Sequence, residues 1–252
     1  MTAMPPVPAP EGEIVRKPLQ FFWLVDQSGS MAGKKIATLN QAIREALPEV
    51  RTAVASHPEV AMTMRAIRFE DEAAWHVGPD AVPAEQFTWP ELRPAGGTST
   101  SKAIRLLASE LATERMPHRG LPPVCILISD GYNTDGDEEL DAATAELLAL
   151  PWGKKAVRLA IGIGEGDGDY DEAGLLKFVS HPEVGVLKAD SPQRLVQFIK
   201  WASINASIGA SVGRAQAGTQ GGANVMLPPP PIEPCLRPES RWKLFPGRLV
   251  AE

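Results

Sequence analysis

Apolar residues along the chain follow two alternating spacings. Phe21-Phe22-Trp23-Leu24-Val25 and Val124-Cys125-Ile126-Leu127-Ile128 are unbroken apolar runs, which predict strands buried on both faces of a parallel sheet. Ala156 to Ile163 and Val184 to Lys188 supply two more strands. Val60, Met62, Met64, Ala66 and Phe69 come close to strict alternation, and the acidic turn Glu70-Asp71-Glu72 then sends the chain back through Ala73 to Val77. That pattern predicts a hairpin with an antiparallel strand at the sheet edge. Helical spacing of three and four governs Ile36, Leu39, Ile43, Leu47, Val50 and Val54, with Pro48 inside the run predicting a kink or a restart. Ile104, Leu107, Ala108 and Leu111 mark a helix over Ser99 to Thr113 with Thr100 as its N-cap. Asp135 to Leu150, Ala173 to Val179 and Pro192 to Ile204 complete the helices. Strands alternating with helices predict an α/β, Rossmann-like fold: a mostly parallel central sheet, an antiparallel edge strand and helices on both faces.

The pattern fails at both ends and in one internal stretch. Residues 1–16 form a Pro-rich leader, 17–206 the folded domain, 207–236 a Gly/Pro-rich linker and 237–252 a tail. The tail mixes basic and large apolar residues in Arg241-Trp242-Lys243-Leu244-Phe245, as a tethered docking peptide would. Gly78 to Pro94 is irregular and Pro-rich, and Trp75, Phe87 and Trp89 are expected to pack at the sheet edge.

Composition narrows the function classes. A chain of 252 residues with 44% hydrophobic content can bury a substantial core. A formal charge of −6 speaks against a nucleic-acid partner, which needs a basic surface. No run approaches the length of a membrane span, and Pro occupies the place of a signal-peptide core. The two cysteines, Cys125 and Cys235, make no disulfide framework. Together these predict a soluble cytoplasmic protein with no membrane partner.

Hydroxyls and carboxylates gather in three loops. Asp26-Gln27-Ser28-Gly29-Ser30 follows the first strand at its carboxyl end, where open α/β sheets place their ligands. Pro94-Ala95-Gly96-Gly97-Thr98 places a hydroxyl on a Gly-rich loop, and Ser129-Asp130-Gly131 ends a second apolar strand. Taken alone, the first loop also reads as an ordinary βα connection with Ser30 capping the next helix. Hydroxyls are hard, neutral oxygen donors suited to Mg²⁺, with Mn²⁺ or Ca²⁺ as alternatives. Asp167, Asp169 and Asp171 begin like a calcium loop, but Glu172 stands where the turn glycine belongs and no bidentate Glu follows; helix-starting acids explain them better.

Asp26-x-Ser28-x-Ser30, Thr98 and Asp130 resemble the five positions of the metal-ion-dependent adhesion site of von Willebrand factor A domains. The resemblance covers roughly Lys17 to Ala206 and implies direct metal contacts from Ser28, Ser30 and Thr98. Asp26 and Asp130 would act largely through water or through those hydroxyls, and an Asp or Glu carboxylate of a partner protein would complete the site. The Asp26 to Met31 run, Asn40 and Gly96-Gly97-Thr98 look most like the bacterial TerY type. That type is associated with tellurite resistance and stress response, and the likeness implies a protein kinase and a protein phosphatase as partners. Two other readings follow: a noncatalytic subunit of a MoxR-type or chelatase-like AAA+ ATPase, and a metal-dependent phosphate-ester hydrolase. No catalytic residue is assigned. His57, His76, His118 and His181 lack ligand spacing and read as solvated, and Gly29 to Lys35 lacks the ending of a phosphate loop.

Overall fold

The computed structural model describes residues 16–164, 168–212 and 227–231. The leader before Arg16, most of the linker and the tail from residue 232 onward lie outside the described residues. Six strands, β1 (Lys17–Asp26), β2 (Val60–Phe69), β3 (Ala73–Pro83), β4 (Val124–Ser129), β5 (Val157–Ile163) and β6 (Val186–Ala189), form one sheet in the order β3-β2-β1-β4-β5-β6. All neighbours pair in parallel except β2 and β3. The helices are α1 (Lys34–Ala55), α2 (Thr100–Glu110), α3 (Asp137–Ala149), α4 (Pro151–Lys155), α5 (Glu172–Phe178) and α6 (Pro192–Val212).

Side-chain alternation along β1 explains why this strand is central. Phe21, Trp23 and Val25 enter a core shared with α1 and α6, whereas Phe22 and Leu24 enter a second core shared with α2, α3 and α5. A strand apolar at every position therefore has helices on both faces, as expected of a parallel sheet. Strand order reverses between β1 and β4. The chain leaves β1 toward α1 on one face and leaves β4 toward α3 on the other, which opens a crevice between the two loops. Asp26 and Asp130 stand at that crevice.

The structure departs from expectation in several places. Helix α1 runs on through Pro48 without the restart that was one of the two expectations. Strand β3 continues to Pro83, across a register irregularity and a cis Gly78-Pro79 bond, so the stretch after Val77 is partly strand. Phe87 and Trp89 lie in the core, 0% and 6% exposed. Trp89 packs against Trp23, His76 and Phe87, while Trp75 is partly buried with the Arg65 guanidinium over its ring. His181 is buried and bonded to the Ser180 hydroxyl at 2.7 Å, and His76 is half-buried with its Nε2 on the Pro90 carbonyl; neither is solvated. Helix α6 extends to Val212, and Leu227 packs against the first core.

One buried polar residue ties the irregular stretch to the sheet. Asn40, on α1, donates to the Leu92 carbonyl at 3.0 Å and accepts from the Leu92 N–H and the Trp89 indole, each at 2.9 Å. This clamp fixes the chain just before the Gly-rich loop. Asn40→Ala would leave three buried polar groups without partners. It is expected to cost about 3 kcal/mol in a urea unfolding titration; a loss below about 1 kcal/mol would show that the clamp is dispensable.

Candidate metal centre

Asp26 is fully buried, and both of its carboxylate oxygens are engaged by neighbours. The Ser28 backbone N–H donates to Oδ1 at 2.7 Å and the Ser129 hydroxyl donates to Oδ2 at 2.5 Å. Ser129 Oγ in turn accepts the Gly131 N–H at 2.7 Å. The ends of β1 and β4 are thus laced together through one carboxylate. Burial dominates Asp26 and pushes its carboxyl up to about 6, against the lowering effect of the Ser129 and Ser28 hydrogen bonds, and the Asp130 charge adds to the rise.

The two serines of the first loop sit side by side, with Ser28 Oγ and Ser30 Oγ 2.9 Å apart. Ser28 is buried and Ser30 exposed, so the pair leads from the interior to the surface. The Gly-rich loop is brought to them by backbone bonds: Ala95 N–H donates to the Gln27 carbonyl at 2.7 Å and Gly29 N–H to the Gly96 carbonyl at 2.9 Å. Gly96 adopts φ +58°, and a Cβ there would come within 2.6 Å of the Glu70 and Asp71 carboxylates. The left-handed backbone favours glycine there, and a Cβ would have to push the two acidic side chains aside. Asp71 also accepts the Gly97 N–H at 2.8 Å, so the acidic hairpin tip props the loop.

Thr98 is buried, and the loop after β4 holds its backbone. The Thr134 hydroxyl accepts the Thr98 N–H at 3.0 Å, and the Thr134 N–H donates to the Thr98 carbonyl at 2.9 Å. Asp135 accepts the Ser99 hydroxyl at 2.6 Å and that of Ser101, and Asn133 Oδ1 accepts the Thr100 N–H at 3.3 Å. Ser99, not Thr100, holds the N-cap position of α2.

Asp130 completes the group. It is 0% exposed; its Oδ2 meets Lys35 Nζ at 3.1 Å, and its Oδ1 is buried with no hydrogen-bond partner among the described residues. A buried carboxylate oxygen without a donor is costly, and at the end of the strand next to the one whose loop carries the paired Ser28 and Ser30 hydroxyls it fits a hard divalent cation. Among the described residues no three His, Cys, Asp or Glu side chains gather as ligands, so hydroxyls would have to supply the direct contacts. Asp171 instead caps α5, accepting the Gly174 N–H at 3.0 Å; Asp167 lies outside the described residues.

The five predicted positions thus fall on three loops at one edge of the sheet. Ser129, Lys35 and the Asn133-Thr134-Asp135 strap were not anticipated. Lys35 did carry a signal, since a cation in the first turn of a helix opposes the helix dipole.

No protein-family model matches the sequence, and no curated protein matches it with significance. Solved structures do resemble the chain. A von Willebrand factor type A protein from Catenulispora acidiphila aligns at TM-score 0.57 and 16% identity, over 76% of this chain and 43% of that one. The ArnB paralog VWA2 from Sulfolobus acidocaldarius aligns at 0.53 and 17%, over 73% and 45%. Proximal thread matrix protein 1 from the mussel byssus, with a zinc-occupied MIDAS motif, aligns at 0.51 and 15%, over 75% and 46%. The chain spans less than half the length of each of these. At such identities the likeness establishes the fold, that of a von Willebrand factor A domain.

The state of Asp26 makes stability depend on pH. With its pKa raised from 3.8 to about 6, the folded state holds a proton that the unfolded chain has released. The contribution is fully present below about 3.8 and is lost as pH rises through about 6, a change of about 3 kcal/mol. In metal-free buffer, the unfolding free energy of the wild type relative to Asp26→Asn is therefore expected to fall by about that amount between pH 4 and 7. A difference that stays flat would contradict burial as the dominant influence.

Proposed function

We propose that the chain is a metal-dependent protein-interaction adaptor whose cation binds at Ser28, Ser30 and Thr98. The observation that carries this reading is Asp130 Oδ1, buried and unpartnered beside the loops that bring the hydroxyls. Asp26 has its two oxygens occupied by Ser28 N–H and Ser129 Oγ, which suits an indirect role through the hydroxyl loop better than a direct ligand bond. The cation is Mg²⁺, with Mn²⁺ or Ca²⁺ as substitutes. The mussel protein's zinc-occupied motif on the same fold is in keeping with a divalent ion at this sheet edge. A divalent ion held by neutral first ligands remains under-neutralised and supplies a Lewis-acidic position for a carboxylate of a partner protein.

The partner system that fits is TerY-like: a cytoplasmic stress-response or defence complex with a protein kinase and a phosphatase. Among the described residues no helix is long and apolar enough to cross a membrane. Residues 17–206 serve as the binding domain, 207–236 as a linker and 237–252 as a second, tethered contact.

Capture from native lysate with and without Mg²⁺ tests this reading. Capture of kinase or phosphatase is expected to disappear with EDTA and in a Ser28→Ala/Ser30→Ala variant, and Asp26→Ala should weaken it about 10- to 100-fold. Capture of an AAA+ ATPase instead would reassign the system. Capture indifferent to EDTA and to both variants would remove the metal from the interaction, and metal-dependent phosphate-ester turnover lost in Asp130→Ala would make the chain an enzyme.

A further inference from the structure

Lys35 is the second residue of α1, whose first turn contains no acidic residue. Two successive lysines at the positive end of a helix are electrostatically misplaced. Lys35 nevertheless reaches across the crevice to a carboxylate that ends the neighbouring strand, with Nζ 3.1 Å from Asp130 Oδ2 and its side chain 30% exposed against 0% for Asp130. Its charge is therefore directed at the one site carboxylate that has an oxygen to spare.

We propose that Lys35 is an internal counter-cation that competes with the metal for Asp130, so that the cation is held weakly until an anionic ligand arrives. This rests on the metal reading given above and deepens it. Asp26 and Asp130 as carboxylates bring two negative charges; Lys35 returns one positive charge, leaving the cation-free site at net −1. A divalent ion then raises it to +1. One carboxylate from a partner brings the whole to neutrality, whereas without Lys35 the two aspartates would already offset the ion's charge and the demand for an acid would rest on the neutral direct contacts alone. Repulsion between a divalent ion and an ammonium sharing one buried carboxylate lowers metal affinity by at least about tenfold at the effective dielectric of a partly buried site.

Lys35 also has somewhere to go. It lines a cavity of about 210 Å³ together with Thr38, Ile163, Ala189, Asp190 and Leu195. A long flexible ammonium side chain can swing from Asp130 toward that space, where Asp190 contributes to the lining and already pairs with Arg194 Nη1 at 2.8 Å. The cavity gives the displaced lysine room beside a carboxylate that it would share with Arg194.

Mn²⁺ titration by electron paramagnetic resonance at fixed pH and ionic strength, with melting curves with and without Mn²⁺, tests the proposal on wild type, Lys35→Gln, Lys35→Met and Lys35→Arg. Glutamine keeps a donor for Asp130 Oδ2 without the charge, so it remains informative if the methionine variant folds poorly. The neutral variants are expected to bind Mn²⁺ at least about tenfold more tightly than wild type. They should melt lower without metal, where Asp130 loses its counter-charge, and should show a larger metal-induced rise; Lys35→Arg should behave as wild type. Mn²⁺ binding in the neutral variants alone would also support the competition. Wild-type binding with unchanged or weaker affinity in Lys35→Gln, or an equal loss of melting temperature with and without metal, would overturn the role of Lys35 and leave the metal site standing. No binding in any of the four proteins would overturn both.

Discussion

The burial of two carboxylates at the ends of neighbouring strands is the constraint on which this structure turns. Asp26 closes β1 and Asp130 follows β4, both at 0% exposure, where desolvation penalises the charged form by more than an ordinary hydrogen bond returns. The fold answers with specific donors: the Ser28 amide and the Ser129 hydroxyl for one carboxylate, Lys35 for half of the other. What is left over is a single oxygen of Asp130. A buried carboxylate oxygen left without a donor is costly, and together with the Ser28–Ser30 hydroxyl pair on the loop after β1 it suits the hard cation proposed for this crevice.

Everything around the crevice holds loops rather than ligands. Asn40 secures the approach to the Gly-rich loop, Asp71 supports Gly97, and Thr134 brackets Thr98 from both sides of its peptide unit. These bonds come from α1, from the β2–β3 hairpin and from the loop after β4, so elements on both faces of the sheet converge on one edge. Short neutral donors would tolerate little displacement in meeting one small ion, and the backbone bonding near this edge would hold them in the way the proposed site requires.

Much of this was legible in the sequence because apolar strands and Asp-Ser-Gly loops are local patterns. The runs at Phe21 to Val25 and Val124 to Ile128 gave the two central strands, and the residues ending them gave Asp26 and Asp130. The sheet order was accessible only through the family likeness, since no local feature dictates which strands neighbour each other. The continuation of β3 past Gly78 was hidden because its partners lie across the hairpin. Phe87 and Trp89 looked peripheral because their burial depends on Trp23 and Asn40, dozens of residues away. Ser129 was masked as the last residue of an apolar strand, and Lys35 by its place in an amphipathic helix; both draw their meaning from contacts about a hundred residues distant in sequence.

The central claim is that a divalent cation occupies the crevice between β1 and β4. Anomalous diffraction from crystals grown with Mn²⁺ tests it directly. The expected result is one anomalous peak in ligand contact with Ser28 Oγ, Ser30 Oγ and Thr98 Oγ1, and none near Asp169 and Asp171. A crevice without a peak at saturating Mn²⁺, or a peak bound elsewhere on the domain, would contradict it.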